Sequence, residues 1–103
     1  MSISSKQRAQ LRGLAMNEDT IVQVGKAGIT ESLIASVNAA LTARGLVKGR
    51  VLEASMLTAR EACDALCEAC QADPVQVIGT KFVIFKRNHG DPKIELVKDK
   101  KKK

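Results

Sequence analysis

Three cysteines close together are the side chains of this 103-residue chain that could most readily bind a metal or carry redox chemistry. Cys63, Cys67 and Cys70 have the C-x3-C-x2-C spacing of an iron–sulfur signature. The same spacing places them on one face of a predicted helix with Ala62 and Leu66, whereas cluster ligands generally come from a loop. Because a free cysteine packs like a small hydrophobic residue, the pattern favours a buried helix face. A small redox or metal-binding protein is the alternative.

Groups for acid–base or nucleophilic catalysis are scarce. His89 is the only histidine and lies in a predicted polar loop, so neither a Ser-His-Asp triad nor a multi-histidine zinc site can be assembled. The acids Glu61, Asp64 and Glu68 fall on the solvent side of the third predicted helix. We therefore expect a protein that is not an enzyme and that needs no cofactor or metal.

A glycine-containing segment has the pattern of a phosphate site. Gly25-Lys26-Ala27-Gly28 lies between a β-type run and a helix for which Thr30 is a suitable N-cap. Glycine allows a ligand to approach the backbone closely, and the free N–H groups at a helix start favour an anion. Lys26 adds a positive charge. The segment predicts phosphate contact through Gly25, Lys26, Ala27, Gly28 and Thr30, and a tight turn with a purely structural role is the alternative.

The charge balance also points to a polyanion. Seventeen Lys and Arg residues against eleven Asp and Glu residues leave a net charge of +6, which favours RNA, DNA or an anionic membrane. The first helix and the last hairpin each carry a basic cluster, and together these are Lys6, Arg8, Arg12, Lys81, Lys86 and Arg87. Only two aromatic residues occur, both Phe, and this composition argues against a binding platform of several stacked aromatics.

The elements that must position these residues can be placed from periodicity and turn residues. Helices are predicted over 6–16, 31–44 and 59–72, the last capped by Thr58, and strands over 20–24, 46–52, 75–78 and 82–85. Gly49 indicates a bulge or a close approach, and Gly79 a hairpin turn. The order α-β-α-β-α-β-β predicts a two-layer α/β domain with a four-stranded mixed sheet. Residues 94–97 are predicted as an added edge strand or a loosely packed tail.

The chain is expected to be one cytoplasmic domain. No apolar run approaches the roughly 20 residues that span a bilayer, and the opening segment has no apolar region typical of a secretory signal. Three cysteines are an odd number and do not make a disulfide framework, which favours a reducing compartment. Residues 1–97 are predicted to form the domain and 98–103 a disordered lysine-rich tail, in a monomer that does not contact membranes.

Four segments, in their order and spacing, resemble the CRM domain family, the YhbY-like RNA-binding proteins. They are SKQRAQLRGLA at 5–15, VQVGKAGIT at 22–30, LVK at 46–48 and VQVIGTKFVIFKR at 75–87. The resemblance covers about residues 4–88; the cysteines and the lysine tail are not part of the family signature. It implies a fold like the C-terminal domain of translation initiation factor three and a G-x-x-G loop used on RNA, much as KH domains use theirs. Single-domain members of the family are associated with large-ribosomal-subunit precursors.

The resulting hypothesis is an RNA-binding module that acts on ribosomal RNA during large-subunit assembly. The Gly25–Gly28 backbone would contact phosphate and the two basic clusters would extend the positive surface. Such contacts position a protein but carry little sequence information. Ribosomal proteins are further candidate partners, because an adaptor whose acidic third helix docks on a basic ribosomal protein is a second alternative.

Overall fold

Three helices and four strands follow one another in the computed structural model, which describes residues 3–87. Their bounds are α1 Ser5–Ala15, β1 Val22–Val24, α2 Glu31–Arg44, β2 Leu46–Val51, α3 Ala59–Cys70, β3 Asp73–Ile78 and β4 Lys81–Phe85. The predicted order is confirmed. His89, the 94–97 segment and the lysine-rich tail at 98–103 lie outside the described residues.

The strands form one sheet in the order β1-β2-β4-β3. β1 and β2 are parallel, and α2 makes the crossover between them, whereas β4 is antiparallel to both β2 and β3. The predicted four-stranded mixed sheet is therefore confirmed. A consequence for function is that β1 and β2 end at the same edge, where the β3–β4 turn also lies.

Helices lie on both faces of the sheet, because alternate strand residues point in opposite directions. α2 and α3 pack on one face, in a cluster with strand residues that include Val24, Val47 and Phe82. Leu11 and Ala15 of α1 pack on the other face, where their strand partners are Leu46, Val75, Val83 and Phe85. The predicted two layers are thus the sheet and the α2–α3 pair, and α1 adds a short third layer.

Capping residues start the helices as the sequence indicates. The hydroxyl oxygens of Thr30 and Thr58 accept hydrogen bonds from the N–H groups of Leu33 and Glu61, at 3.0 and 3.1 Å. Ser4 makes a capping box with Gln7 that the sequence analysis did not predict, and α1 consequently begins one residue earlier than expected.

Two predicted boundaries are wrong near the end of α3. The helix ends at Cys70 and not at residue 72, because Gln71 adopts the left-handed conformation with φ 57° and ψ 48°. β3 then begins at Asp73 and includes Pro74, with a bulge between Pro74 and Gln76. β3 is an edge strand, where a residue without an N–H group costs no ladder hydrogen bond. β1 also begins two residues later than predicted, at Val22.

Gly49 is a point of close approach. It pairs with Phe82 in regular register, so no bulge occurs there, and a Cβ atom at Gly49 would lie 2.5 Å from Cζ of Phe82. The phenyl ring occupies the space above the glycine and is 1% exposed. Of the two expectations for Gly49, the close approach is confirmed.

The three cysteines are free and buried in the core between α3, α2 and the sheet. Burial raises the pKa of the Cys70 thiol, and hydrogen bonding to Cys63 together with burial raises that of Cys67. Within residues 3–87, no group of three His, Cys, Asp or Glu side chains is placed to hold a metal ion. The prediction that the cysteine stripe packs in the core is confirmed, and the redox alternative has no exposed thiol to use.

Native-state thiol chemistry tests this packing. Cys63, Cys67 and Cys70 are expected to resist a thiol reagent in the folded protein and to react at once in denaturant, because a reagent cannot reach thiols buried in the core. Each Cys→Ala change should lower the free energy of unfolding by about 1–2 kcal/mol through loss of packing. Stoichiometric iron or zinc in anaerobically purified protein, lost in the triple variant, would contradict this expectation.

Candidate nucleic-acid interface

The glycine-containing segment forms a four-residue turn at the end of β1. The N–H group of Gly28 donates to the carbonyl oxygen of Gly25 at 3.0 Å, which leaves Lys26 and Ala27 exposed at the tip. Gly28 has a φ of 73°, a conformation that side-chain-bearing residues rarely adopt. The second glycine is therefore the one that the backbone of the turn requires.

The hydrogen bonds within the turn determine which backbone N–H groups remain free to bind a ligand. The Gly28 N–H group is already used inside the turn, whereas those of Lys26 and Ala27 have no protein acceptor within residues 3–87. The Thr30 hydroxyl is engaged in capping α2. Glu31 already places a negative charge in the first turn of that helix. The anion-binding capacity of this segment therefore rests on two N–H groups and the Lys26 ammonium group, with Thr30 positioning the helix start.

Backbone hydrogen bonds tie the turn to the neighbouring segments. The Leu52 N–H group donates to the Val24 carbonyl at 2.9 Å, and the Val51 N–H group donates to the Thr80 carbonyl at 2.7 Å. The end of β2 and the β3–β4 turn thus lie beside the Gly25–Gly28 turn. This arrangement brings the predicted site residue Lys81, which follows the hairpin turn, to the same edge of the sheet as Lys26.

Two basic residues of β2 join this surface, and the sequence analysis did not select them. Arg50 pairs directly with Lys81 across the antiparallel strands, so both side chains lie on one face. Lys48 is on the same face, and its Nζ atom donates to the Ala15 carbonyl at 3.4 Å. The signal was present in the strand, where Lys48 and Arg50 alternate with Val47, Gly49 and Val51.

These residues border a part of the sheet outside the cluster that α1 forms with the strands. We call this part the open sheet face and define it by Lys48, Arg50, Gln76, Ile78 and Lys81. A shallow depression of about 150 Å³ lies there, and Ile78 is 63% exposed. The open sheet face combines positive charge with an exposed apolar side chain around this depression.

Arg8 takes part in a second basic site, at the β3 edge. Its Nε atom donates to the Pro74 carbonyl at 3.4 Å, and Arg60 of α3 lines the same cleft of about 230 Å³. The two arginines reach this edge from helices on opposite faces of the sheet. Arg60 was not among the predicted site residues. Lys6 and Arg12 were among the predicted site residues, and both are exposed on α1.

The predicted basic cluster of the last hairpin divides into two. Lys81 lies at the turn end of β4, whereas Lys86 and Arg87 follow its other end. The two ends are about 17 Å apart, the length of five residues in an extended strand. The Lys86 ammonium group donates to Oδ1 of Asn38 at 2.9 Å, and its backbone N–H group donates to the Gly45 carbonyl at 2.9 Å. A phosphate at the Gly25–Gly28 turn is therefore out of reach of Lys86 and Arg87.

A comparison with models of protein families shows to which family this chain belongs. The model of the CRS1/YhbY (CRM) domain matches residues 3–86, which is nearly all of the described structure. The chain belongs to this family. The resemblance seen in the sequence is thereby confirmed, and the CRM domain spans all seven secondary-structure elements.

Relatives of this CRM domain are named for RNA binding. It is 33% identical over 94 residues to Probable RNA-binding protein YqeI of Bacillus subtilis, covering 91% of this chain and 98% of that protein. It is 34% identical over 102 residues to Probable RNA-binding protein MJ0652 of Methanocaldococcus jannaschii, covering 97% of this chain and 75% of that protein. The solution structure of SAV1595 from Staphylococcus aureus matches with a TM-score of 0.76 and 38% identity, over 92% of this chain and 99% of that one.

No helix within residues 3–87 is long and apolar enough to cross a bilayer.

Proposed function

We propose that this CRM domain binds ribosomal RNA in precursors of the large ribosomal subunit and assists their assembly without catalysing a reaction. The observation that carries the proposal is the Gly25–Gly28 turn, with free N–H groups at Lys26 and Ala27, on the same sheet edge as Arg50 and Lys81. The names of the relatives support RNA as the ligand. We further propose that it acts as a cytoplasmic monomer.

The geometry supports binding that begins with the RNA backbone. Two N–H groups and an ammonium group at one turn suit a phosphate oxygen cluster, and Arg50, Lys81 and Lys48 provide a path for the next phosphates. Backbone contacts fix register and orientation but do not read sequence. The choice of target would therefore come largely from RNA shape and from neighbouring ribosomal proteins.

The salt dependence of RNA binding tests the electrostatic part of the proposal. Because neutralised phosphates release counterions, five or six basic contacts should give log K against log salt a slope of about −4. The measurement is a titration of a ribosomal RNA fragment at several salt concentrations. A slope near zero, or no association at low salt, would contradict RNA binding. Crosslinking in cells then tests the target, since crosslinks should map to large-subunit ribosomal RNA and not across all transcripts.

A further inference from the structure

A cleft of about 560 Å³ opens beside the Gly25–Gly28 turn, and of the residues assigned to phosphate contact above only Arg50 lines it. It lies between the end of β2, the start of α3 and the β3–β4 turn. Val51, Leu52 and Leu57 form an apolar wall, and the polar residues at its border are Arg50, Glu53, Thr58 and Thr80. An apolar hollow of this size with a few polar groups is typical of a small-ligand site.

Two leucines that line the cleft also lie next to the glycines of the turn. A Cβ atom at Gly25 would lie 3.8 Å from Cδ1 of Leu52, and one at Gly28 would lie 3.9 Å from Cδ1 of Leu57. The two glycines of the turn are thus in near contact with two leucines that line the cleft. A nucleotide whose phosphate lies against the turn would consequently have its sugar and base next to this apolar wall.

The negative charge of Glu53 determines which part of a nucleotide the cleft can hold. Glu53 is exposed and makes no hydrogen bond or ion pair with another residue of 3–87. Its carboxylate would repel a phosphate, whereas it can accept hydrogen bonds from a neutral base. The basic residues at this edge, Lys26, Arg50 and Lys81, remain available for the phosphates on either side.

The carboxylate also selects among the bases. A carboxylate accepts hydrogen bonds and donates none, so it pairs best with two adjacent donors. Guanine offers such a pair on its Watson–Crick edge, the N1–H and the N2 amino group. Adenine and cytosine place an acceptor nitrogen beside their amino group, and uracil flanks its single N–H with carbonyls. We propose that the cleft receives a guanine base of the bound RNA, with Glu53 accepting from its N1–H and N2 amino groups.

This inference rests on RNA binding at the turn, and the test keeps the two apart. Short single-stranded RNAs of equal length and charge would carry guanine, inosine or adenine at one position. Wild-type protein is expected to bind the guanine RNA roughly tenfold more tightly than the adenine RNA, a modest value for a bidentate base contact. Inosine, which lacks the N2 amino group, should fall between them.

The Glu53→Gln variant is expected to reduce the guanine-to-adenine affinity ratio to less than threefold. The ratio is the readout, because removing a negative charge strengthens binding to every RNA. Glu68→Gln, which makes the same charge change at an exposed position of α3, is the matched control and should leave the ratio unchanged. Equal binding of the guanine and adenine RNAs, or an equal change in both variants, would overturn the guanine site and leave RNA binding intact. No binding of any RNA would overturn both proposals.

Discussion

The Lys26→Asp variant is expected to bind RNA at least about tenfold more weakly than the wild type, because it removes a cation and places an anion beside the phosphate. Lys26 lies at the exposed tip of a turn whose two free N–H groups would hold that phosphate. Lys26→Ala, which only removes the charge, should weaken binding about threefold and reduce the magnitude of the salt slope by about one. Titration of the three proteins with one ribosomal RNA fragment measures these differences.

The matched control is the same charge reversal at Lys98, in the lysine-rich sequence that lies outside the described residues. Both variants change the net charge equally, so a general electrostatic effect would weaken binding to the same extent in both. We expect Lys98→Asp to weaken binding by less than twofold, because one lysine of a like-charged run contributes only non-specific affinity. If the two variants lost the same affinity, the turn would be no more than one part of a uniform basic surface. The hydrogen bonds of the Gly25–Gly28 turn would then serve only the fold.

The Gly49→Ala variant is expected to lower the free energy of unfolding by about 1–3 kcal/mol, the usual cost of adding atoms to a packed core. The new Cβ atom would lie 2.5 Å from Cζ of Phe82, a ring that is buried and paired with this position in register. Chemical denaturation of the two proteins gives the difference. A variant as stable as the wild type would show that the ring can move aside freely.

Two companion variants make the Gly49 result specific. Gly13→Ala changes an exposed glycine of α1 that has no atom within 4 Å of the added Cβ, and it should be stabilising by about 0.5–1 kcal/mol. Phe82→Leu removes the ring that causes the clash. The double variant Gly49→Ala/Phe82→Leu should therefore be more stable than the sum of the two single effects predicts, because residues in contact do not behave additively.

The helix caps, the buried face of α3 and the Gly25–Gly28 turn could be predicted from the sequence alone, because local interactions fix them. Thr30 and Thr58 cap their helices through residues three positions away, and the apolar stripe of α3 identified the buried face that carries the cysteines. The Gly25–Gly28 turn could be recognised because its conformation is set within four residues. These features depend on backbone conformation and side-chain periodicity over one or two turns of chain, and both can be seen in the sequence.

The composition of the basic surface was decided only by the tertiary structure. Arg50 joins Lys81 because β2 pairs with β4 in one particular register, and Arg8 approaches Arg60 because α1 and α3 cover opposite faces of the same edge strand. Lys86 and Arg87, which are close to Lys81 in sequence, are carried to the other end of the sheet by the extended strand between them. Strand order, register and the face that a helix covers result from burial of apolar side chains far apart in the chain, so no local pattern could specify which charges would meet.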